Sequence, residues 1–264
     1  MPRLLLKPTA RHGHVHHVTP QSAGWTYVGF DLYRLNAGER VGAYTGNREI
    51  CLVLVSGKAI VEAGNTDFGE IGERMTPFEG APYAVYAPAG VDWAAEATTE
   101  LTLAVCSSPG VPDVLPPRLI APGTHPQFAR GKGSNTRLVT DILPEGDPAN
   151  SLLVVEVITP NGNTSSYPPH KHDTDDFPNE TLLEESYYHR LNPSQGFALQ
   201  RVYTDDRSLD ETMAVEDGDV VLVPKGYHPV ATVHGYDSYY LNTMAGPKRA
   251  WKFHNAKEHE WLLK

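Results

Sequence analysis

The chain has 264 residues, 40% hydrophobic and 20% charged, with a mean hydropathy of -0.37, enough apolar side chain for one large or two ordinary cores. With 22 basic against 32 acidic residues the net charge is -10, which excludes a nucleic-acid partner held on a broad basic face. No apolar run reaches the roughly 18 residues of a membrane span, and Met1 to Pro8 has too short an apolar core for a signal peptide, so no membrane partner and a cytoplasmic location are expected.

Glycine (23) and proline (22) punctuate the chain so often that few windows could hold a helix. Between them recur short runs rich in Val, Tyr, Leu and Thr, the pattern of an all-β protein. In chain order the predicted strands are Gly29–Tyr33, Ile50–Val55, Lys58–Glu62, Tyr83–Ala87 and Leu101–Cys106, then Leu152–Ile158, Ser186–Leu191, Phe197–Tyr203, Asp219–Val223 and Ser238–Thr243. Asn255 to Leu263 is the one predicted helix, with Asn255 as N-cap. Cys51 and Cys106 lie inside apolar strand runs and read as buried small hydrophobes.

Residues 108–135 carry Pro109, Pro112, Pro116, Pro117, Pro122 and Pro126 and read as a linker between a first β unit, 1–107, and a second, 136–264. The halves repeat. Glu49, Pro88, Gly90 and Asp92 match Glu185, Pro224, Gly226 and His228 at a constant offset (185 - 49 = 228 - 92 = 136).

His170 and His172 flank one residue on an extended stretch, so both imidazoles project from the same face and can reach one ion. A carboxylate from the next strand and a distant imidazole, His228, would complete a three-His, one-carboxylate set. The repeat makes Glu185 the inward carboxylate, with Glu184 pointing the other way unless the register shifts by one. One divalent ion is expected, Zn, Mn, Fe or Ni, with Zn or Mn favoured. The first half has no matching set, because Asp92 stands where His228 stands and no histidine occurs between His17 and His125. His12, His14 and His16 alternate on a terminal strand and read as exposed side chains. His189 and His234 could support the ligands by hydrogen bonding.

The His-x-His pair, the glutamate opening a strand, and Gly218 followed after five residues by Pro224-x-Gly226-x-His228 resemble the two signature motifs of the cupin superfamily. That resemblance implies a bicupin: two tandem antiparallel β-barrels of jelly-roll type, the first degenerate and the second metal-binding. More narrowly, Pro169-His170-Lys171-His172-Asp173, Glu184 to Tyr188, Gln195 to Asp206, Tyr240 to Pro247 and Ser22 to Phe30 resemble the 5-deoxy-glucuronate isomerases of inositol catabolism. The resemblance implies an aldose-ketose isomerase converting 5-deoxy-glucuronate to 2-deoxy-5-keto-gluconate by metal-assisted proton transfer through an enediolate. Two features depart from the general cupin pattern. Twelve residues separate His172 from Glu185, forming either a lid or a solvated connection, and one residue, Tyr227, separates Gly226 from His228.

Proton transfer needs an acid or base near the substrate carbons; Glu184, Tyr187, Tyr203 and Tyr240 are candidates that the sequence does not separate. A sugar-acid carboxylate needs a cation, and Arg201 is the first choice, with Lys171 and Lys248 flanking motif segments. Alternative readings are a keto-uronate isomerase of pectin breakdown, a metal-dependent dioxygenase and a sugar-binding module. Exposed sheet edges leave a homo-oligomer as a further expectation.

Overall fold

The Gly- and Pro-punctuated runs fold as strands in the computed structural model, which describes residues 3–263. In chain order they are β1 (Leu5–Leu6), β2 (Gly13–Val18), β3 (Gly29–Leu35), β4 (Arg40–Tyr44), β5 (Arg48–Ser56), β6 (Ala59–Ala63), β7 (Thr66–Ile71), β8 (Tyr83–Ala87), β9 (Asp92–Ala97), β10 (Leu101–Pro109) and β11 (Arg118–Ile120). There follow β12 (Phe128–Arg130), β13 (Arg137–Leu143), β14 (Leu153–Thr159), β15 (Thr164–Ser165), β16 (His170–Lys171), β17 (Glu184–Asn192), β18 (Phe197–Tyr203), β19 (Asp210–Glu216), β20 (Val220–Val223), β21 (Val230–Thr232), β22 (Asp237–Ala245) and β23 (His254–Asn255). Every strand predicted from sequence forms.

The chain divides into two compact units. One comprises Pro8–Gln127 and Asp141–Val154; the other takes the chain up to Lys7, Phe128–Thr140 and everything from Val155 onward. In the first unit a six-stranded sheet, β11-β8-β5-β10-β3-β2, packs on a four-stranded sheet, β4-β9-β6-β7. Leu52, Leu54, Val85 and Leu103 from the large sheet meet Val61, Trp93 and Ala95 from the small one to form its core. In the second unit the corresponding sheets run β1-β20-β17-β22-β14-β13-β12 and β15-β21-β18-β19.

The repeat is visible strand by strand. β10 and β22 begin and end 136 residues apart (237 - 101 = 245 - 109 = 136), and β8-β5-β10-β3 has the same order as β20-β17-β22-β14. The fold is all-β, but the ladders do not close into continuous barrels among the described residues. In the first unit the two sheets meet through side chains instead of hydrogen bonds, as in a sandwich.

Three local expectations are corrected. The Pro-rich segment carries two strands: β11 pairs with β8 and β12 with β13. Its prolines fall outside Arg118–Ile120 and Phe128–Arg130, so those windows keep their backbone donors. Lys257–Leu263 is a 3-10 helix, and Asn255 does not cap it because it is engaged opposite His170 in the β16-β23 pair. At the terminal histidines the β2-β3 register shifts between His14 and His16. That irregularity ends the expected alternation: His16 is buried, while His14 and His17 are both exposed. Cys51 and Cys106 are buried and form no disulfide, as expected.

Glu49, the counterpart of Glu185, is fully buried. Its Oε1 accepts from the backbone N–H of Ser151 (2.6 Å) and Leu152 (2.7 Å) and from Ser108 Oγ (3.1 Å). Its Oε2 accepts from the N–H of Asn150 (2.7 Å) and from Tyr86 Oη (2.8 Å). One carboxylate thus satisfies three consecutive backbone donors, the Leu152 N–H fully buried and the other two half-buried. Glu49→Ala is expected to lower the unfolding free energy by about 3 kcal/mol or more in urea denaturation. A loss under about 1 kcal/mol would show that the 150–152 backbone finds other acceptors.

Candidate metal centre

The site is built on β16, β17 and the turn after β20, all in the second unit. His170 opens β16, and its pairing with Asn255 of β23 fixes the strand direction. His172 follows two residues on; its backbone carbonyl accepts from the Leu183 N–H (2.8 Å), and its Nδ1 lies 3.1 Å from Leu183 O. His228 is aimed by the turn at Gly226, where φ is +91° and a Cβ would collide with the Tyr203 carbonyl, so only glycine fits. His228 Nδ1 lies 2.9 Å from Gly226 O. The three imidazoles converge, with the His228 ring centroid 4.9 Å from that of His170 and 5.0 Å from that of His172.

Glu185 completes the set at the start of β17. Its Oε2 is 3.1 Å from His172 Nε2 and 3.2 Å from His228 Nε2, and its Oε1 accepts from Asn242 Nδ2 at 2.6 Å. All four side chains are buried. The donor set fits a divalent cation for a specific reason. In both His172 and His228 the Nδ1–H donates to a backbone carbonyl, so the neutral imidazole turns its Nε2 lone pair toward the Glu185 carboxylate. Among the described residues His228 Nε2 has no hydrogen-bond partner in this buried position. Lone pairs turned toward a carboxylate require a proton or a cation between them.

Electrostatics follow the same logic. Burial holds His170 well below the ordinary imidazole range, and the neighbouring imidazoles of His228 and His172 add to the effect. Burial also dominates at His228 and lowers it. At His172 burial opposes the charged form, but the hydrogen bond and charge of Glu185 carry its pKa above the usual value. Glu185 is disfavoured as a carboxylate by burial, yet the two imidazoles keep it below its ordinary pKa.

Beside this set lies a hydroxyl network. Tyr187 Oη is 3.0 Å from Ser166 Oγ, which is 3.4 Å from Tyr240 Oη. Ser166 adopts φ +49°, a left-handed conformation that costs a non-glycine residue about 1 kcal/mol or more. Burial raises both tyrosine pKa values, so the phenols stay protonated.

The other candidates are placed elsewhere. Glu184 is buried on the alternate side of β17 from Glu185. Tyr203 stacks on Tyr227 and lies under Arg201 and Arg207. Arg201 is held by Asp210 through two 2.7 Å bonds on the exposed hairpin of β18 and β19. Lys171 is buried and paired with Asp173 (2.6 Å) and Glu180 (3.1 Å). Lys248 is exposed, with Nζ 4.1 Å from the Phe177 ring centroid. A polar cleft of about 510 Å³ is lined by Lys171, Glu180, Tyr227 and His254 among others, with none of the three imidazoles on its walls.

The 173–184 connection is pinned. Glu180 accepts from the N–H of Asp173 and Thr174, Asp173 Oδ2 accepts from the Gly226 N–H, and the Thr181 N–H donates to Lys252 O. Asp175 to Asn179 form its exposed tip. At the terminus His14 Nε2 and His17 Nδ1 lie 2.7 and 2.6 Å from Asp31 Oδ1, an exposed cluster that the sequence did not suggest. Sequence reasoning also missed Asn242, Ser166 and Arg137. Asn242 had a signal, since it lies two residues from Tyr240 and so shares its face of the strand. Ser166 and Arg137 had none.

Residues 4–262 match the model of the KduI/IolB family. The chain belongs to that family. Among its KduI/IolB relatives, the 5-deoxy-glucuronate isomerase of Geobacillus kaustophilus is 55% identical over 95% of this chain and 91% of its own length. That of Bacillus licheniformis is 49% identical over 100% and 99%. The crystal structure of an IolB-like protein from Salmonella typhimurium superposes with a TM-score of 0.97 at 56% identity, covering 99% of this chain and 100% of that one. Oxalate decarboxylase of Bacillus subtilis shares the fold, with a TM-score of 0.64 at 13% identity over 97% of this chain and 80% of its own. No helix among the described residues is long and apolar enough to cross a membrane.

His189, on β17 behind Tyr187 and Tyr240, is fully buried, and its Nε2 is 2.9 Å from Gln200 Oε1. Nε2 therefore carries the proton and donates, leaving Nδ1 as a buried acceptor without a partner among the described residues. Burial pushes its pKa down from 6.5 to about 4. Above pH 6.5 both folded and unfolded chains are neutral here; as pH falls the unfolded chain takes up the proton first, so stability is lost down to about pH 4. The His189 contribution is about 2 kcal/mol between pH 7 and pH 5. Urea denaturation of metal-free protein at the two pH values should show that difference shrinking in His189→Gln; an unchanged difference would place the titration elsewhere.

Proposed function

We propose that this protein is an aldose-ketose isomerase that converts 5-deoxy-glucuronate to 2-deoxy-5-keto-gluconate, with one divalent ion held by His170, His172, His228 and Glu185. The observation that carries the reading is the buried convergence of three imidazoles and one carboxylate, in a chain whose curated relatives bear that isomerase name. Three neutral nitrogen donors and one oxygen suit a first-row ion such as Zn or Mn.

When bound, the ion supplies Lewis acidity toward the carbonyl and neighbouring hydroxyl oxygens of the sugar. The chain's own residues do the rest. The carbonyls of Leu183 and Gly226 fix the imidazole tautomers, and Asn242 fixes the carboxylate, so the ligand set is pre-organised. Isomerisation removes a proton from C2 of the open-chain aldose and returns one to C1, while the C2 hydroxyl becomes the carbonyl. Tyr187 and Tyr240, kept protonated by burial and joined through Ser166, are suited to donate hydrogen bonds to enediolate oxygens and to pass a proton between them. A small sugar acid is the partner this site accommodates, and a cytoplasmic location is consistent with such metabolism.

Purified protein given 5-deoxy-glucuronate under nitrogen should form the ketose with no other reactant; a requirement for oxygen would sink the isomerase reading in favour of a dioxygenase. Chelation should abolish turnover and a divalent ion restore it. His170→Ala and His172→Ala are expected to lose the bound metal and at least about 100-fold in kcat/KM. Asn242→Ala should weaken metal affinity by about 10- to 100-fold, read by competition with a chromogenic chelator. Full turnover by metal-free His172→Ala would remove the ion from the reaction.

A further inference from the structure

Two arginines lie opposite one another on adjacent strands of the second unit: Arg130 of β12 pairs with Arg137 of β13. Directly opposed residues of an antiparallel pair project from the same face, and like charges there repel. Among the described residues neither has a carboxylate partner. Arg137 is buried, and its Nη1 donates to the backbone carbonyl (3.0 Å) and side-chain Oδ1 (3.1 Å) of Asn135. Asn135 is itself fixed, its Nδ2 donating to Tyr167 O at 3.0 Å and its Oδ1 accepting from Thr164 Oγ1 at 3.2 Å. Gly131, at φ +87°, makes room: a Cβ there would collide with Asn135 O and come within 2.7 Å of Arg137 Nη1. The Arg130 guanidinium is 5.7 Å from the Trp251 ring centroid.

A buried guanidinium oriented by neutral oxygens and set against a second cation is a device for holding an anion. Two arms connect it to the metal centre. Asn135, which orients Arg137, donates to the carbonyl of Tyr167, the residue after Ser166, whose Oγ lies 3.0 Å from Tyr187 Oη and 3.4 Å from Tyr240 Oη. Arg130 lies by Trp251, which is next to Phe253, whose ring is 4.6 Å from that of His170. The cation pair and the imidazole cluster are thus linked through a run of hydroxyl and aromatic groups.

We propose that Arg137, with Arg130 beside it, binds the carboxylate of the sugar-acid substrate and so holds its far end while the carbonyl end lies at the histidines. This deepens the isomerase reading and rests on it. It assigns the role that sequence reasoning gave to Arg201, whose guanidinium is already taken by Asp210.

The test compares the acid substrate with 5-deoxy-glucose, in which a hydroxymethyl group replaces the carboxylate. In Arg137→Met, kcat/KM for 5-deoxy-glucuronate should fall about 100-fold, mainly through KM, with metal content unchanged. Turnover of the neutral sugar should change less than threefold, and Arg137→Lys should recover part of the loss, as point-charge binding would. Equal losses on both sugars, or none, would overturn the proposal. If Arg137→Met fails to fold, Arg130→Met carries the same comparison with an expected loss of about 10-fold. A binding arm separates this proposal from the isomerase reading. D-glucuronate added to the metal-loaded protein should raise the melting temperature of wild type but not of Arg137→Met, whether or not the wild type turns over. Equal stabilisation of the two proteins by D-glucuronate, or of wild type by inorganic phosphate, would show that Arg137 is not a uronate site.

Discussion

A carboxylate removed from water between two imidazole nitrogens is the constraint on which the second unit is built. Glu185 Oε2 lies just over 3 Å from His172 and His228. Burial opposes charge on all three groups, and each is tolerable only in the presence of the others. A divalent cation would meet three nitrogen lone pairs and a carboxylate at once, where a shared proton would meet only two of these groups. The surroundings serve this: the Gly226 turn, the Leu183 carbonyl and the Asn242 amide each remove one freedom from a ligand.

The first unit shows what the same scaffold does without imidazoles. Glu49 occupies the strand position of Glu185 and is just as buried, but its partners are backbone N–H groups and hydroxyls. Five hydrogen bonds saturate its oxygens, leaving nothing to offer an ion. Asp92, at the position of His228, is exposed. One duplicated framework thus yields a structural carboxylate in one unit and a candidate ligand in the other, and the difference lies in what meets the oxygen.

Much of this was legible in the residues. Strand positions followed from where Gly and Pro interrupt Val- and Tyr-rich runs, and the spacing of His170, His172 and His228 singled out the side chains that converge. The offset of 136 points to Glu185 over Glu184 from the sequence alone. What stayed hidden depended on pairing across the chain. Asp210 neutralises Arg201 across a hairpin, Glu180 reaches back to Lys171 within a loop, and the irregularity in β2 regroups the terminal histidines around Asp31. Arg137 carries no motif, and its neighbour Arg130 sits in a segment whose prolines suggested a linker. A cation's availability depends on which carboxylates the fold brings to it, and local sequence does not report that.

The strand β1 brings time into the picture. Leu5 pairs with Val221, and the Leu222 N–H donates to Leu4 O, so the outer edge of the sheet that carries Glu185 is closed by a piece of chain 216 positions away (221 - 5). Lys7 adds ion pairs to Glu216 and Asp219 on the same side. Until those residues are joined, β20 presents open backbone donors and acceptors, the condition under which strands of different molecules add to each other. Closing so long a loop is slow, even though its entropic penalty grows only logarithmically with length. A nascent chain must therefore leave β1 unpaired until β20 has been made, and the sheet under the candidate metal centre is sealed only after that.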